Sequence, residues 1–363
     1  METRIWRKFD FIMLGLALLL IMYGVIMISS ATQSTIDLQL LWRTQLVRTG
    51  LGLAGMLIIA IIDYRYYRAF YKILYLIIVG LLVTLLLEGE LTGGTQRWLA
   101  GGAIQPAELT KLIIIICLAK FLSDHDGEME KFRYLFLSLG IVVIPIVLIF
   151  LQPDLGTSVI VGFIWLVMAL MAGIRLFHLG LLGSGALLIS PIVWLSLQDY
   201  MRQRIVLFLN PSSSPDDYYN VQQALISIGS GGWLGKGFGN GSQNQLRFLR
   251  VRHTDYLFSV IGEELGMLGA IVLFVLIVFL LWRILRAANL AGDPFGRLMC
   301  VGVAAVIFFQ SVVNIGVNLG LMPVTGTPLP FVSYGGSSLL TFLFALGLVE
   351  SVLMRRKRLD FET

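Results

Sequence analysis

The chain has 363 residues, of which 57% are hydrophobic and 13% charged, and its formal net charge is +5. Soluble domains carry charge on about a quarter of their residues, so this composition excludes an ordinary soluble protein and favours one surrounded mostly by lipid. The basic residues stand in short groups between apolar segments, which indicates anchoring beside a membrane and no nucleic-acid partner. Cys117 and Cys300 lie within apolar segments and indicate neither a disulfide framework nor a CxxC metal site.

The apolar segments predict an all-α, polytopic membrane protein that forms one transmembrane domain over residues 1–363. A helix needs about 20 mostly apolar residues to cross the hydrocarbon core of a bilayer. About ten segments meet this criterion. They span roughly 10–30, 44–63, 66–87, 108–123, 133–152, 155–173, 176–197, 256–282, 297–320 and 337–354.

Lysine and arginine residues are concentrated at one set of helix ends. About 17 of the 27 lie there, and because basic residues favour the cytoplasmic side, we expect both termini to lie in the cytoplasm. The opposite, extracytoplasmic ends include the long loop of roughly 198–255 between the seventh and eighth spans. Within it, 210–220 is typical of a turn and linker, whereas 221–245 predicts a half-helix and a glycine-rich stretch that re-enters or lies along the membrane interface.

Two pairs of polar residues lie near the extracytoplasmic ends of the third and fourth spans. Arg97 and Trp98 suit a sugar phosphate, because a guanidinium binds phosphate and an indole can cover the apolar face of a sugar. The alternative is that they anchor the chain at the membrane interface. Glu108 and Lys111 lie three residues apart and so share a helix face, either within a site or as a simple ion pair. Pro106 is typical of the first turn of their helix.

Acidic residues follow or begin further spans on the same side. Asp154 is either part of a site or the N-cap of the sixth span. Asp255 is either a general base or charge stabiliser at the mouth of a cavity, or the N-cap of the eighth span. Glu263 and Glu264, about two turns further in, favour the cavity, because carboxylates inside a span normally face polar surroundings. Their alternative is ion pairing with arginines of the loop.

The stretch 314–338 between the last two spans is the least regular apolar part of the chain. Prolines, glycines and polar residues interrupt it, and backbone groups freed at membrane depth must be satisfied by protein or water. We therefore expect this segment to fold back against the helix bundle. Ser337 or Ser338 is the expected N-cap of the tenth span.

Five motifs occur in order along nearly the whole chain. They are "GGTQRW" with "QPAELTK", "QPDLGTS", "NVQQALISIGSGGWLGKGFGNGSQNQLRFL", "HTDYLFSVIGEELG" and "PVTGTPLPFVSYGGSS". Together they resemble the SEDS family of cell-wall polymerases, named for shape, elongation, division and sporulation. The last motif is more similar to the elongation-type members than to the division-type members.

The resemblance implies a peptidoglycan glycosyltransferase that joins lipid II units into glycan strands during cell elongation and releases undecaprenyl diphosphate. It also implies a class B penicillin-binding protein as partner. The positions that match the family's important residues are Arg97, Trp98, Glu108, Lys111, Asp154 and Asp255.

An α-linked donor and a β-linked product require one inverting displacement, which needs a base for the acceptor hydroxyl. We expect Asp255 to be that base. Arg97, Lys111 and Arg202 or Arg204 are candidates to stabilise the departing diphosphate. A divalent cation such as Mg²⁺ or Mn²⁺ could share that task, although no local cluster of ligands defines a metal site and no other cofactor is expected.

His253, two residues before the expected base, is a further candidate for substrate binding.

Three other functions remain open at this point. A lipid II flippase would also have about ten spans with charges inside the membrane, and inverted repeats would favour it. No internal repeat is evident, and the polar groups gather at one face. A scaffold for the penicillin-binding protein would tolerate replacement of Glu108, Lys111 and Asp255. A division-type paralogue would keep the same chemistry.

Overall fold

The computed structural model describes residues 8–88, 90–92, 95–98, 105–249 and 252–356. Within these ranges it describes only the backbone at 37, 88, 90–92, 95–98, 176, 213 and 215–217. The described chain is helical apart from one short antiparallel hairpin, formed by β1 (Glu90–Thr92) and β2 (Thr95–Trp98). The predicted all-helical, multi-pass architecture is confirmed, with this hairpin as its one addition among the described residues.

The helices are numbered here in chain order. They are α1 (Phe11–Thr32), α2 (Leu41–Ile61), α3 (Tyr64–Glu88), α4 (Pro106–Asp124), α5 (Phe132–Leu151), α6 (Leu155–Met171), α7 (Leu176–Ser196), α8 (Asp199–Leu209), α9 (Pro215–Gly231), α10 (Ser242–Gln245), α11 (Leu257–Glu264), α12 (Gly266–Leu290), α13 (Pro294–Asn318) and α14 (Gly336–Met354). Short 3₁₀ turns cover Ile36–Leu38 and Pro211–Ser213.

Eight of the described helices are long and apolar enough to cross a membrane, namely α1, α2, α3, α5, α7, α12, α13 and α14. The helix α6 is apolar but has only 17 residues, and α4 carries several charged residues. The number of about ten crossings therefore stays a prediction. α13 and α14 form the centre of the bundle, because most of their residues are buried.

The eighth predicted span, 256–282, is two helices. α11 ends at Glu264 and α12 begins at Gly266, whose φ of 64° lies in the left-handed region that favours glycine. A Cβ at Gly266 would lie 2.4 Å from the backbone nitrogen of Gly235. The glycine-rich stretch therefore breaks the helix by packing against Gly266. The local apolar pattern does not show this contact, because its two sides are far apart in sequence.

Glu263 and Glu264 hold this glycine-rich stretch in place. Glu263 accepts hydrogen bonds from Lys236 Nζ at 2.8 Å and from the Gln243 backbone at 3.0 Å. Glu264 accepts from Ser30 Oγ at 2.6 Å and from the Gly239 backbone at 3.1 Å. Both side chains are fully buried. They do not line the cavity that contains Asp255; they anchor the loop. Their alternative, ion pairing with the loop, is therefore right in kind, although the cation paired with Glu263 is a lysine and not an arginine.

The loop of roughly 198–255 contains α8, α9 and α10. The turn and linker predicted at 210–220 is wrong in its second half, because Pro215 takes the first position of α9, where its missing N–H costs nothing. The half-helix predicted from 221 is the rest of α9, and it packs against α11.

The segment between α13 and α14 folds back into the bundle, as predicted. Its carbonyl groups accept hydrogen bonds from buried amides: Pro328 from Gln310 at 2.9 Å and Thr327 from Asn314 at 2.8 Å. α14 has Gly335 as its N-cap with no side-chain cap, so the prediction of Ser337 or Ser338 in that role is wrong.

Two glycines near the end of α9 provide a matched test of its packing on α11. A Cβ at Gly231 would lie 1.9 Å from the Gly262 carbonyl oxygen, whereas a Cβ at Gly229 would meet nothing within 4 Å. We expect Gly231→Ala to lower the free energy of unfolding by about 1–3 kcal/mol, because backbone has to move. Gly229→Ala should leave it unchanged or raise it by about 0.5–1 kcal/mol. Thermal unfolding in detergent measures both, and equal transition temperatures would contradict the packing.

Candidate active site

Three helices begin around one cavity of about 320 Å³, here named the carboxylate cavity. It lies at the starts of α4, α6 and α14 and against the segment that joins α13 to α14. Its lining includes Arg48, Gln105, Glu108, Asp154, Thr157, Thr254, Asp255, Gly326, Thr327, Pro328, Tyr334, Gly335, Gly336, Ser337 and Ser338. It therefore combines three carboxylates, one guanidinium and the positive ends of three helix dipoles.

The three helix starts are joined by polar side chains. The Gln105 backbone donates to Ser337 Oγ at 3.0 Å, and the Gln105 side-chain amide lies 3.4 Å from Asp154 Oδ2. Asp154 accepts from the backbone and hydroxyl of Thr157 at 3.1 and 3.0 Å, so its predicted alternative as the N-cap of α6 is confirmed. Backbone N–H groups at helix starts bind anions; Asp154 takes that place at α6, whereas the start of α14 has no side-chain cap and suits a phosphate.

Glu108 and Lys111 form a buried ion pair of 2.8 Å, as their spacing predicts. Glu108 lines the cavity, whereas the Lys111 side chain has no exposed surface and lies behind it. The Lys111 ammonium also donates to Gln310 Oε1 at 2.9 Å and stands 5.3 Å from the centre of the Phe342 ring. The lysine thus balances the Glu108 charge and fixes its position beneath the cavity.

Asp255 lines the cavity and does not cap a helix. α11 begins at Leu257 after Tyr256, with no side-chain cap, so the predicted alternative for Asp255 is wrong. The backbone of Ser259 instead donates to Asn318 Oδ1 at 3.1 Å, and the Asn318 amide donates to the Asp255 carbonyl at 2.8 Å. Asn314 donates to the same carbonyl at 3.0 Å. The Asp255 backbone is therefore held by α13.

Arg48 of α2 is a cavity residue that the sequence reasoning missed. Its guanidinium lies 5.1 Å from the centre of the Tyr334 ring and packs against Gly336, where a Cβ would lie 2.7 Å from it. The missed signal is that Gln45, Arg48 and Thr49 recur at helical spacing within an apolar span, a pattern that usually marks an inward-facing polar stripe.

Three sequence candidates, His253, Arg202 and Arg204, do not line the cavity. His253 accepts from the Tyr334 backbone at 3.0 Å through its own carbonyl, and burial, followed by the nearby Arg252 charge, lowers the pKa of its imidazole. Arg202 donates to the carbonyls of Trp194 and Leu195 at the end of α7. Arg204 donates to the Val324 carbonyl at 3.0 Å, beside Gly326.

Arg97 and Trp98 lie in β2, and their side chains fall outside those described. Their predicted contact with a substrate therefore stays a prediction. Within the described part of the chain, no group of three or more His, Cys, Asp or Glu residues is arranged to hold a metal ion.

Residues 10–358 match the model of a family described as "Cell cycle protein", which groups FtsW, RodA and SpoVE. The chain is 37% identical to the peptidoglycan glycosyltransferase MrdB of Escherichia coli (strain K12), over 98% of this chain and 96% of that one. It is 38% identical to stage V sporulation protein E of Bacillus subtilis (strain 168), over 94% and 96% of the two chains.

Solved structures agree with these relatives. The rod shape determining protein RodA of Thermus thermophilus matches with a TM-score of 0.72 and 31% identity, over 96% of this chain and 98% of that one. A chain from a structure described as "Structural coordination of polymerization and crosslinking by a peptidoglycan synthase complex" matches with a TM-score of 0.81 and 32% identity, over 95% and 97%. The chain belongs to the FtsW, RodA and SpoVE family of cell cycle proteins, which is the SEDS family that its motifs resemble.

Proposed function

We propose that this chain is a peptidoglycan glycosyltransferase that polymerises lipid II in the carboxylate cavity, with Asp255 as its general base. Relatives named as peptidoglycan glycosyltransferases support the activity over nearly the full length of the chain. The observation that carries the site is that Asp255 lines a cavity at which three helices begin and into which Arg48 projects. A carboxylate and an anion-binding end then share one enclosed space.

The proposed reaction is a single inverting displacement. The 4-hydroxyl oxygen of the acceptor sugar attacks C1 of the donor, and its proton passes to the Asp255 carboxylate. The bond from C1 to the diphosphate oxygen breaks at the same time, so the α-linkage becomes a β-linkage and undecaprenyl diphosphate departs with the electron pair. Asp154 caps α6 and Glu108 is paired with Lys111, so both have positioning roles in the site.

The departing diphosphate gains negative charge, and fixed positive groups stabilise it most effectively when they need no rearrangement. The starts of α4, α6 and α14 provide such groups, together with the Arg48 guanidinium. Lys111 contributes indirectly, by holding Glu108. Arg204 stands behind Gly326 and contributes to the field of the site without lining the cavity.

A divalent cation is an additional candidate for the diphosphate end. Mg²⁺ in proteins is typically held by one or two carboxylates together with substrate phosphates. Asp154 and Asp255 are the carboxylates of the cavity that would hold it, and the ion would supply further positive charge to the leaving group.

We also propose the orientation and the partner of the chain. The grouping of basic residues supports a multi-pass inner-membrane protein with both termini in the cytoplasm. The carboxylate cavity would then face the extracytoplasmic side, where cell-wall polymer is assembled. The likeness to a chain of a peptidoglycan synthase complex supports a class B penicillin-binding protein as the partner that crosslinks the product.

Replacing Asp255 by asparagine tests the base directly. The amide keeps the size of the side chain but cannot accept the hydroxyl proton, so we expect glycan synthesis to fall by about 10²–10⁴-fold. The measurement is single-turnover glycan synthesis from lipid II by the purified protein in liposomes. Asp199→Asn, an exposed carboxylate of α8 outside the cavity, is the matched control and should retain activity.

Near wild-type synthesis by a folded Asp255→Asn protein would end the assignment of the base. Lipid II translocation without any glycan strands from the unaltered protein would favour a flippase instead. Thermal unfolding serves as the control for folding.

The Glu108–Lys111 pair is tested by a double-mutant cycle. Either single alanine variant leaves one charge buried without its partner, which costs about 3–5 kcal/mol of stability. The double variant removes both charges, so its loss in unfolding free energy and glycan synthesis should be smaller than the sum of the single losses. Lys120→Ala, on the same helix, removes a partly exposed ion pair and should cost about 0–1 kcal/mol. Strict additivity would show that the two residues act separately.

Arg48 is tested against a second arginine of α2. We expect Arg48→Gln to reduce glycan synthesis by at least about tenfold, because a hydrogen bond to a charged group contributes about 1.5–3 kcal/mol. Arg43→Gln removes the same charge from an exposed position one turn away and should leave synthesis within about twofold of the unaltered protein. Equal activities of the two variants would remove Arg48 from the site.

A further inference from the structure

A second cavity, here named the basic cavity, lies at the opposite end of α14 from the carboxylate cavity. It has a volume of about 290 Å³ and lies between the start of α1 and the ends of α12 and α14. Its lining consists of Lys8, Phe9, Asp10, Phe11, Ile12, Arg283, Arg286, Ala287, Leu290, Leu353 and Arg356. Four cations and one carboxylate therefore share one small space.

Asp10, the one carboxylate of this lining, already has partners within the protein. Asp10 caps α1 and accepts from Arg283 Nε at 2.9 Å, so that arginine is neutralised within the protein. The Lys8 ammonium donates to the Arg356 carbonyl at 2.8 Å, a contact that leaves its charge uncompensated. Among the described residues, neither Arg286 nor Arg356 forms a side-chain ion pair with a carboxylate. Counted over the described lining residues, positive charge thus exceeds negative charge, with the buried Glu350 carboxyl accepting from the Asp10 backbone at 3.1 Å beside the cavity.

The surroundings of this charge are those of a membrane interface. Phe11 and Ile12 at its rim have 67% and 55% of their surface exposed, and both begin a helix long enough to cross a bilayer. Trp282 is half exposed, and the guanidinium groups of Arg283 and Arg286 each lie 5.8 Å from the centre of its ring. Tryptophan beside arginine at a span end is typical of the headgroup level of a bilayer.

The length of α12 also places its end at the headgroup level of the bilayer. A helix of 25 residues at about 1.5 Å per residue is about 37 Å long, whereas the hydrocarbon core is about 30 Å thick. The excess of about 7 Å corresponds to about five residues, so the end of α12 from Arg286 onward extends into the headgroup region, and Arg283 stands about one turn before it.

We propose that the basic cavity binds the phosphodiester headgroup of an anionic phospholipid, with Arg286, Arg356 and Lys8 contacting the phosphate. The acyl chains would lie against the exposed apolar side chains of α1 and α12. Basic cavities between transmembrane helices bind anionic headgroups in this way, and a soluble phosphate would not use the apolar rim formed by Phe11, Ile12 and Trp282. The site is separate from the carboxylate cavity and does not depend on the glycosyl transfer.

The test compares lipid binding by two variants with equal loss of charge. Arg286→Gln combined with Arg356→Gln removes two cations from the basic cavity. Lys72→Gln combined with Arg133→Gln removes two exposed cations from the first half of α3 and the start of α5, outside the cavity. The purified full-length proteins are titrated with phosphatidylglycerol and, separately, with phosphatidylcholine, and bound lipid is counted by native mass spectrometry.

We expect the unaltered protein and the Lys72/Arg133 control to retain phosphatidylglycerol in preference to phosphatidylcholine. The Arg286/Arg356 variant should bind phosphatidylglycerol roughly 25-fold more weakly, about fivefold for each charge removed. Thermal unfolding of each protein without added lipid controls for folding. Equal weakening in the two double variants would overturn the proposal, as would displacement of the lipid by an equimolar concentration of soluble glycerol phosphate.

Discussion

The irregular segment between α13 and α14 lies inside a helix bundle, where its backbone N–H and C=O groups need hydrogen-bond partners. The carboxylate cavity depends on which side chains provide them. α13 supplies amide side chains that donate to the carbonyl groups of this segment, and each of these amides also contacts a second group of the site. Gln310 donates to the Pro328 carbonyl and accepts from Lys111. Asn314 donates to the carbonyls of both Thr327 and Asp255. The groups that satisfy the segment thus also position the buried ion pair and the base.

The electrostatics of the two ends of the bundle differ in kind. At the carboxylate cavity positive charge comes from the Arg48 guanidinium and from three helix starts, which are fixed by the fold and cannot be moved by a change of rotamer. At the basic cavity it comes from lysine and arginine side chains at the membrane surface. A fixed field suits a charge that develops during a reaction, whereas mobile side chains suit a ligand whose headgroup varies.

The helices could be predicted from the sequence, because long apolar segments in a chain with few charges have few other solutions. Local spacing also predicted the Glu108–Lys111 pair and the cap at Asp154. The errors arise where a distant residue decides the local structure. Gly235 breaks the helix at Gly266, and Asn318 takes over the capping of α11. The residue pattern of one segment carries no information about contacts with distant segments.

The contact of α1 with the irregular segment has a consequence for how the carboxylate cavity accommodates substrates of different size. A Cβ at Gly24 would lie 2.2 Å from the Val332 carbonyl oxygen, so backbone meets backbone with no side chain between them. This contact has no rotamer to adjust, so the segment that lines the cavity at 326–328 and 334–335 cannot recede at Val332 without moving α1. Space for a bulkier sugar substituent therefore has to come from side chains of the lining that can reorient, such as those of Arg48 and Gln105.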